Sequence, residues 1–201
     1  MKSSIILAAG LGKRVREYSL DLPKPLIEVN GKPFIEYSIN IMEELGFEEI
    51  FINVHYKSDQ IISYLTNLNN PKIKISDETD CLLDTGGGIL NMIRQTQEKD
   101  FIILNPDTII EEDTLEKLIN YIETNDKIGM IGPKILNADG SLQLSCKRSF
   151  PTIKSAIPKI LGLDKLFPNS KWLGRNNLTF LDPDKNHVVD AISGSCMLIR
   201  N

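Results

Sequence analysis

Cysteine is scarce and unpaired in this chain: Cys81, Cys146 and Cys196 stand far apart with no C-x-x-C spacing. Neither a zinc site nor a disulfide framework is indicated, and buried, reduced thiols are expected. No run of lysine and arginine dominates any segment. With a formal charge of −4 and a pI near 5.3, this argues against a nucleic-acid binder, so any phosphate recognition must be local. No apolar run reaches membrane-spanning length, and the N-terminus enters a strand without a leader pattern, so no membrane span and a cytoplasmic home are expected. The 201 residues, 41% hydrophobic, are enough for one sizeable core, and a single domain over 1–201 is expected. Nothing in the composition speaks to oligomeric state.

Against those absences stands the stretch from Ile5 to Leu26. Ser4 to Ala8 is a short apolar run of the kind a buried parallel strand gives, and Gly10 and Gly12 follow it, allowing a tight backbone turn. Such a loop can press its amides against a phosphate. Lys13, Arg14 and Arg16 add positive charge directly after those amides, and Lys24 sits stiffly between Pro23 and Pro25, a combination suited to a triphosphate. An ordinary βα turn would show the glycines without these cations.

The same residues carry a resemblance. Leu7-Ala8-Ala9-Gly10-Leu11-Gly12-Lys13-Arg14, then Ser19, then Pro23-Lys24-Pro25-Leu26, resembles the signature of sugar-1-phosphate nucleotidyltransferases, with Glu17-Tyr18 departing from the usual Pro-Leu pair. The resemblance implies a nucleotide-binding loop over Leu7 to Lys13 and catalytic roles for Arg14 and Lys24.

Further along, Phe34, Ile35, Ile39, Met42 and Leu45 form a helical stripe with proline before it and Gly46 after it. Glu49 to His55 reads as a strand, Ser58 as the cap of a helix carrying Ile61, Ile62, Leu65 and Leu68, and Lys72 to Ser76 as a short strand. Alternating strands and helices imply an α/β, Rossmann-like, mostly parallel sheet with helices on both faces. His55 falls at a strand's carboxyl end, but a histidine there is more often structural, and no role is assigned to it.

Leu82-Leu83-Asp84-Thr85-Gly86-Gly87-Gly88-Ile89 permits close backbone approach to a flat or charged group, with a helix expected from about Ile89. It resembles the D-T-G-G-G segment of nucleotidyltransferases acting on mannose-, heptose- or muramic-type sugar phosphates, which implies that Thr85, Gly86, Gly87 and Gly88 face the nucleotide or sugar. Phe101 to Leu104 is a continuous apolar strand followed by Asn105-Pro106-Asp107-Thr108. A carboxylate at that edge can hold Mg²⁺ with phosphate oxygens, so Asp107 is both the metal candidate and a catalytic candidate. The plainer reading of Asn-Pro-Asp is turn chemistry alone.

From about residue 101 a second resemblance begins. Asn105 to Thr108, the run Ile131 to Gln143, Lys147-Arg148-Ser149-Phe150-Pro151, and Val189 to Arg200 resemble family-two glycosyltransferases of the rhamnosyltransferase type. The chain therefore reads as a hybrid, 1–110 nucleotidyltransferase-like and 101–201 glycosyltransferase-like, both of the GT-A kind. In the first half the resemblance leaves a later sugar-phosphate segment and second metal aspartate unaccounted for, and in the second half an acidic Glu-Asp base segment.

The remaining residues read as a helix starting at Glu112-Asp113, a strand over Ile128 to Ile131, a hairpin at Asp139-Gly140, and a short helix and loop over 152–187. In that last region Leu161, Leu163, Leu166, Phe167 and Trp172 are expected to cover a core edge. Lys147-Arg148 could meet a phosphate or stand solvated, and Asp190 could be functional or a turn residue, before a final apolar strand interrupted by Gly194. The expected activity joins a nucleoside triphosphate, UTP or GTP, to a sugar-1-phosphate with Mg²⁺. A metal-dependent glycosyltransferase and a binding-only domain are the alternatives.

Overall fold

The computed structural model describes residues 2–12, 21–98, 100–111 and 113–200, apart from the Lys165 side chain. Contacts divide the chain into two compact units, Met1–Met130 with Gly194–Asn201, and Ile131–Ser193.

The first unit opens with β1 (Ser3–Leu7) and a 3₁₀ turn, Lys24–Leu26. A small hairpin, β2 (Glu28–Val29) and β3 (Lys32–Pro33), follows, closed by Asn30 and Gly31 at φ 52° and 75°. Successive left-handed residues match the twist of a two-residue hairpin, which is why Asn-Gly stands there. Helix α1 (Phe34–Glu44) begins directly after Pro33 and buries Ile35, Ser38, Ile39 and Met42, one stripe at 3–4 residue spacing. It ends where Gly46 takes φ 78° and Phe47 N–H returns to Met42 O.

The chain then runs through β4 (Glu49–Val54), α2 (Ser58–Asn67), β5 (Ile73–Asp77), α3 (Asp84–Ile93), β6 (Asp100–Leu104), α4 (Thr114–Glu123) and β7 (Met130–Ile131). Strands β5, β4, β1 and β6 lie side by side, all parallel. In register, Leu7 faces Asn53, Asn53 faces Ser76, and Ile6 faces Leu104. The carboxyl ends of all four strands therefore meet at one edge, where open α/β sheets take their ligands. The last strand, β10 (Cys196–Arg200), returns antiparallel against β6, and the sheet is the mostly parallel α/β type expected.

Three expectations shift. Ser58 does not cap α2: Lys57 occupies that position at φ 53° without a side-chain cap, and Ser58 Oγ instead accepts from Thr79 Oγ1 at 2.8 Å. Helix α3 starts at Asp84, five residues before Ile89, so the three glycines form its first turns. Helix α4 starts at Thr114, after Asp113 turns the chain at φ 64°.

The second unit carries an antiparallel Leu136–Leu142 bridge around Gly140 at φ 80°, the hairpin expected at Asp139-Gly140. Within it β8 (Lys147–Arg148) pairs with β9 (Ala191–Ile192). Helix α5 (Ile153–Ile160) opens on a capping box between Thr152 and Ser155, and α6 (Leu163–Leu166) packs against it. The expectation that its large side chains cover a core edge fails: Leu161, Leu166, Phe167 and Trp172 are 64%, 70%, 56% and 65% exposed. Cys146 and Cys196 are buried as expected, and burial pushes the Cys196 thiol up to about 12; Cys81 is exposed.

In the first unit's core, Phe101 packs with Ile5, Phe51, Met92 and Ile103, all buried, between the sheet and α3. Phe101→Ala removes a ring that cannot be replaced by collapse of rigid strands, and stability should fall by about 3–5 kcal/mol. The urea midpoint should drop with an unchanged m-value.

Candidate functional site

At the carboxyl edge of the sheet, the backbone leaving β1 is held from below. The Asn53 carboxamide, buried at the end of β4, accepts the Ala8 and Ala9 amides through Oδ1 at 2.9 and 3.4 Å. Its Nδ2 donates to Glu78 Oε1 at 2.8 Å. Glu78, also buried, accepts the Leu83 amide through Oε2 at 3.1 Å, just before α3. One polar pair thus joins the loop after β1 to the glycine-rich start of α3. A buried carboxylate persists only when donors replace its water, and here both oxygens have one.

Neither Asn53's bonding role nor Glu78 is visible in the sequence pattern. Asn53 reads as a strand-end residue and Glu78 as one acid among several. Their one sequence signal is Gly88. A Cβ there would lie 2.6 Å from Glu78 Oε1 and 2.8 Å from Asn53 Nδ2, so the protein's own buried pair already excludes a side chain. The three glycines therefore differ: Gly86 is exposed with open space around it, a Cβ on Gly87 would lie 3.1 Å from Leu83 Cβ, and Gly88 is buried. Thr85 is exposed beside Gly86. His55 serves the same structure, its Nδ1 lying 2.7 Å from Glu78 O.

In the loop itself Ala8 and Ala9 are buried, Leu7 and Leu11 are half-buried, and Gly10 is exposed. Gly12 takes φ 58°, a left-handed value that favours glycine. Lys13, Arg14, Arg16 and Ser19 lie outside the described residues. Where the chain re-enters at Asp21, the Lys57 ammonium donates to the Asp21 carbonyl and carboxylate.

Across the edge, Lys24 Nζ meets Asp107 Oδ2 at 2.5 Å, with side-chain exposures of 24% and 38%. Pro23 holds φ at −67° before Lys24, and Pro25 and Leu26 are buried after it, so the lysine stands on an anchored turn. Asp107 lies in a turn after β6 in which Thr108 N–H bonds Asn105 O at 3.0 Å, with Pro106 at the position proline favours. The Ser195 carbonyl, just before β10, accepts both Asn105 N–H and Thr108 Oγ1, at 2.9 and 3.2 Å. The Asn-Pro-Asp segment is thus turn chemistry that also presents a carboxylate to a lysine 83 residues away. An ion pair this exposed adds at most about 1 kcal/mol to stability, so its geometry matters more than its energy. No group of three or more His, Cys, Asp or Glu side chains able to hold a metal occurs among the described residues.

In the second unit Lys147 and Arg148 form β8, with Lys147 Nζ on Leu181 O at 3.0 Å and Arg148 exposed. Asp190 Oδ2 accepts the Phe150 amide at 3.0 Å, a bond across 40 residues.

Comparison with known proteins places the chain in company. The sequence profile of the MobA-like NTP transferase domain matches residues 4–166, running through the segment where the glycosyltransferase-like pattern begins. The D-glycero-alpha-D-manno-heptose 1-phosphate guanylyltransferase of Aneurinibacillus thermoaerophilus is 35% identical over 120 residues, 59% of this chain and 52% of that protein. The N-acetylmuramate alpha-1-phosphate uridylyltransferase of Caulobacter vibrioides is 37% identical over 112 residues, 54% of this chain and 46% of that protein. The chain thus spans about half the length of these relatives. The crystal structure of HddC from Yersinia pseudotuberculosis complexed with GMP-PN superposes with a TM-score of 0.56 at 30% identity, covering 71% of this chain and 68% of that one.

Two substitutions test the buried pair. Glu78→Gln replaces an acceptor of two N–H groups by an amide that must turn its own NH₂ toward one of them, costing about 1–3 kcal/mol. Gly88→Ala should destabilise through the 2.6 Å contact, while Gly86→Ala, in open space, should leave the melting temperature unchanged or slightly raised. Thermal unfolding of the three variants beside the parent is the measurement.

Proposed function

The chain belongs to the MobA-like NTP transferase domain family, and from that premise we propose that it joins a nucleoside triphosphate to a sugar-1-phosphate, releasing pyrophosphate. The observation that carries this reading is the Lys24–Asp107 pair at 2.5 Å on the sheet edge that also carries the loop after β1. An ammonium and a carboxylate fixed together, beside backbone amides, match a phosphate group and its counter-cation.

The attacking oxygen of a sugar-1-phosphate is already mostly ionised near neutral pH, with a second phosphate pKa of about 6. The reaction therefore needs alignment and charge neutralisation, and no residue has to remove a proton. The loop amides from Gly10 to Lys13 cradle the triphosphate, on a base set by the Ala8 and Ala9 amides bound to Asn53; Arg14 offsets charge on the departing pyrophosphate, and Lys24 turns from Asp107 to the phosphate oxygens near the attack. Thr85, Gly86, Gly87 and Gly88 form the wall toward base or sugar, with the exposed Thr85 and Gly86 free to meet it and Gly88 seated on the Asn53–Glu78 pair.

Asp107 fits Mg²⁺ by its chemistry: a part-exposed carboxylate that already accepts a hydrogen bond from a cation, the Lys24 ammonium. When bound, Mg²⁺ supplies charge neutralisation at the phosphate oxygens, which with water make up its remaining ligands. UTP and GTP are the proposed nucleotides, and mannose, heptose and muramic-type phosphates the proposed sugars; relatives that carry guanylyl- and uridylyltransferase names support that range.

We read the whole chain as one nucleotide-binding domain, since Gly194–Asn201 rejoins the first unit after Ile131–Ser193. The glycosyltransferase-like pattern of residues 101–201 supports a second reading, sugar transfer from a nucleotide-sugar. That chemistry needs a base at the acceptor hydroxyl, a step worth typically 10²–10⁴-fold, whereas the phosphate nucleophile of the first reading needs none.

Asp107→Asn keeps the shape of the turn and loses the charge. It should abolish the Mg²⁺-dependent rise in melting temperature given by UTP or GTP; an undiminished rise would move the metal elsewhere. Arg14→Ala and Lys24→Ala should each weaken triphosphate binding in calorimetric titration, with thermal unfolding nearly unchanged.

A coupled pyrophosphate assay across UTP, GTP and dTTP with several sugar-1-phosphates tests the reaction itself. Release is expected only when both substrates are present. Sugar transfer to a hydroxyl without pyrophosphate would favour the second reading, and nucleotide binding with silence in both assays would leave a binding domain.

A further inference from the structure

The second unit exposes an apolar face of unusual composition. On α5, Ile153, Ile157, Ile160 and the following Leu161 recur at helical spacing and are 79%, 50%, 82% and 64% exposed. Ser155 and Pro158, on the opposite side of the same helix, are buried. The helix thus seats its small and ring side chains inward and presents its isoleucines outward, the reverse of a helix that covers a core.

Aromatic residues surround this stripe. Phe150 precedes the helix, its carbonyl accepting from Ser155 Oγ at 3.4 Å. Phe167 and Trp172 follow it, and a bond from Lys159 Nζ to Asn176 Oδ1 at 3.0 Å keeps that segment alongside. All three rings are more than half exposed.

Charge decides what such a face can meet. Between Lys147 and Arg175 the sequence has seven lysines and arginines against a single carboxylate, Asp164, and Asp164 is buried; from outside that range Asp190 reaches the Phe150 amide at 3.0 Å. Lys154 and Lys159 flank the isoleucine stripe on either side of α5, and Lys171 and Arg175 stand beside Trp172, all exposed. None of these four has an acidic partner among the described residues. A helix with exposed isoleucines, lysines on its margins and aromatic rings nearby has the chemistry of a segment lying in a bilayer interface, where long lysine stems let the ammonium reach the headgroups.

We propose that the α5–α6 face of the second unit docks on an anionic phospholipid bilayer, the isoleucines and rings entering the headgroup boundary and the cations neutralising lipid phosphates. This is peripheral contact and requires no spanning segment; no helix of the described residues is long and apolar enough to cross a membrane. A protein partner of the same apolar character would have no need of unopposed cations on both margins of the stripe.

The test is co-sedimentation of the full chain with vesicles of phosphatidylglycerol and phosphatidylcholine in equal parts, beside vesicles of phosphatidylcholine alone. Binding to the first and little to the second is expected, falling as salt rises because exposed charges are screened. Ile157→Ser with Ile160→Ser should remove binding while leaving far-UV circular dichroism unchanged, since Ile160 is 82% and Ile157 50% exposed. Lys154→Glu with Lys171→Glu should weaken it by about fivefold or more per cation, from the usual contribution of a lysine at an anionic surface. Equal binding to both vesicle types, no binding to either, or undiminished binding by the isoleucine variant would overturn the proposal. So would sedimentation velocity showing a dimer that the isoleucine variant dissolves, which would assign the face to a second copy of the chain.

Discussion

A buried carboxamide and a buried carboxylate fix the working edge of this sheet. Asn53 Nδ2 donates to Glu78 Oε1, which orients the carboxamide so that its Oδ1 faces and accepts the Ala8 and Ala9 amides. Glu78 in turn holds the Leu83 amide. Any slip between β1 and β4, or any shift of α3 along β5, strands at least one of these groups without water, at about 1–3 kcal/mol each and more for the charge. The base of the loop after β1 and the start of α3 are therefore locked, while Gly10 in that loop and Gly86 in the first turn of α3 stay exposed. Rigid support beneath accessible backbone is the condition for holding a ligand without first ordering the loop.

Much of the frame was legible because it repeats a local pattern. Ile5 and Ile6, Ile50 to Ile52 and Phe101 to Leu104 are uninterrupted apolar runs, and each is a buried parallel strand. Lys24 and Asp107 were singled out from separate motifs, and the fold brings them to 2.5 Å. What the sequence hid is long-range: Asn53 and Glu78 are 25 residues apart, and neither residue type announces burial. Gly88 looked like a site for a ligand because glycine permits close approach, but it does not say to what. The start of α3 was misplaced for the same reason, since three glycines argue against helix on propensity, whereas here packing against Glu78 admits no side chain.

The turn that carries Asp107 links the two halves of the sequence. Its Asn105 and Thr108 both bond the Ser195 carbonyl, in a segment that returns from the far end of the chain to pair β10 with β6. The carboxylate's position is thus a joint product of β6 and of a segment 87 residues beyond Thr108. A turn that depends on the returning strand gives a physical reason for residues 194–200 to belong with the first unit.

Composition alone concealed the second unit's character. The chain carries a formal charge of −4, and its cations between Lys147 and Arg175 are interleaved with isoleucine, proline and aromatics, so no basic run appears. Helical geometry changes the arithmetic, because residues three and four apart become neighbours and residues adjacent in sequence do not. Interleaving on the chain becomes segregation on the surface, with Ile153, Ile157 and Ile160 in one stripe and lysines at its margins. At physiological ionic strength charges separated by more than about 8 Å hardly sense one another. On α5 itself the charged side chains are Lys154 and Lys159, so the sign of the helix is positive.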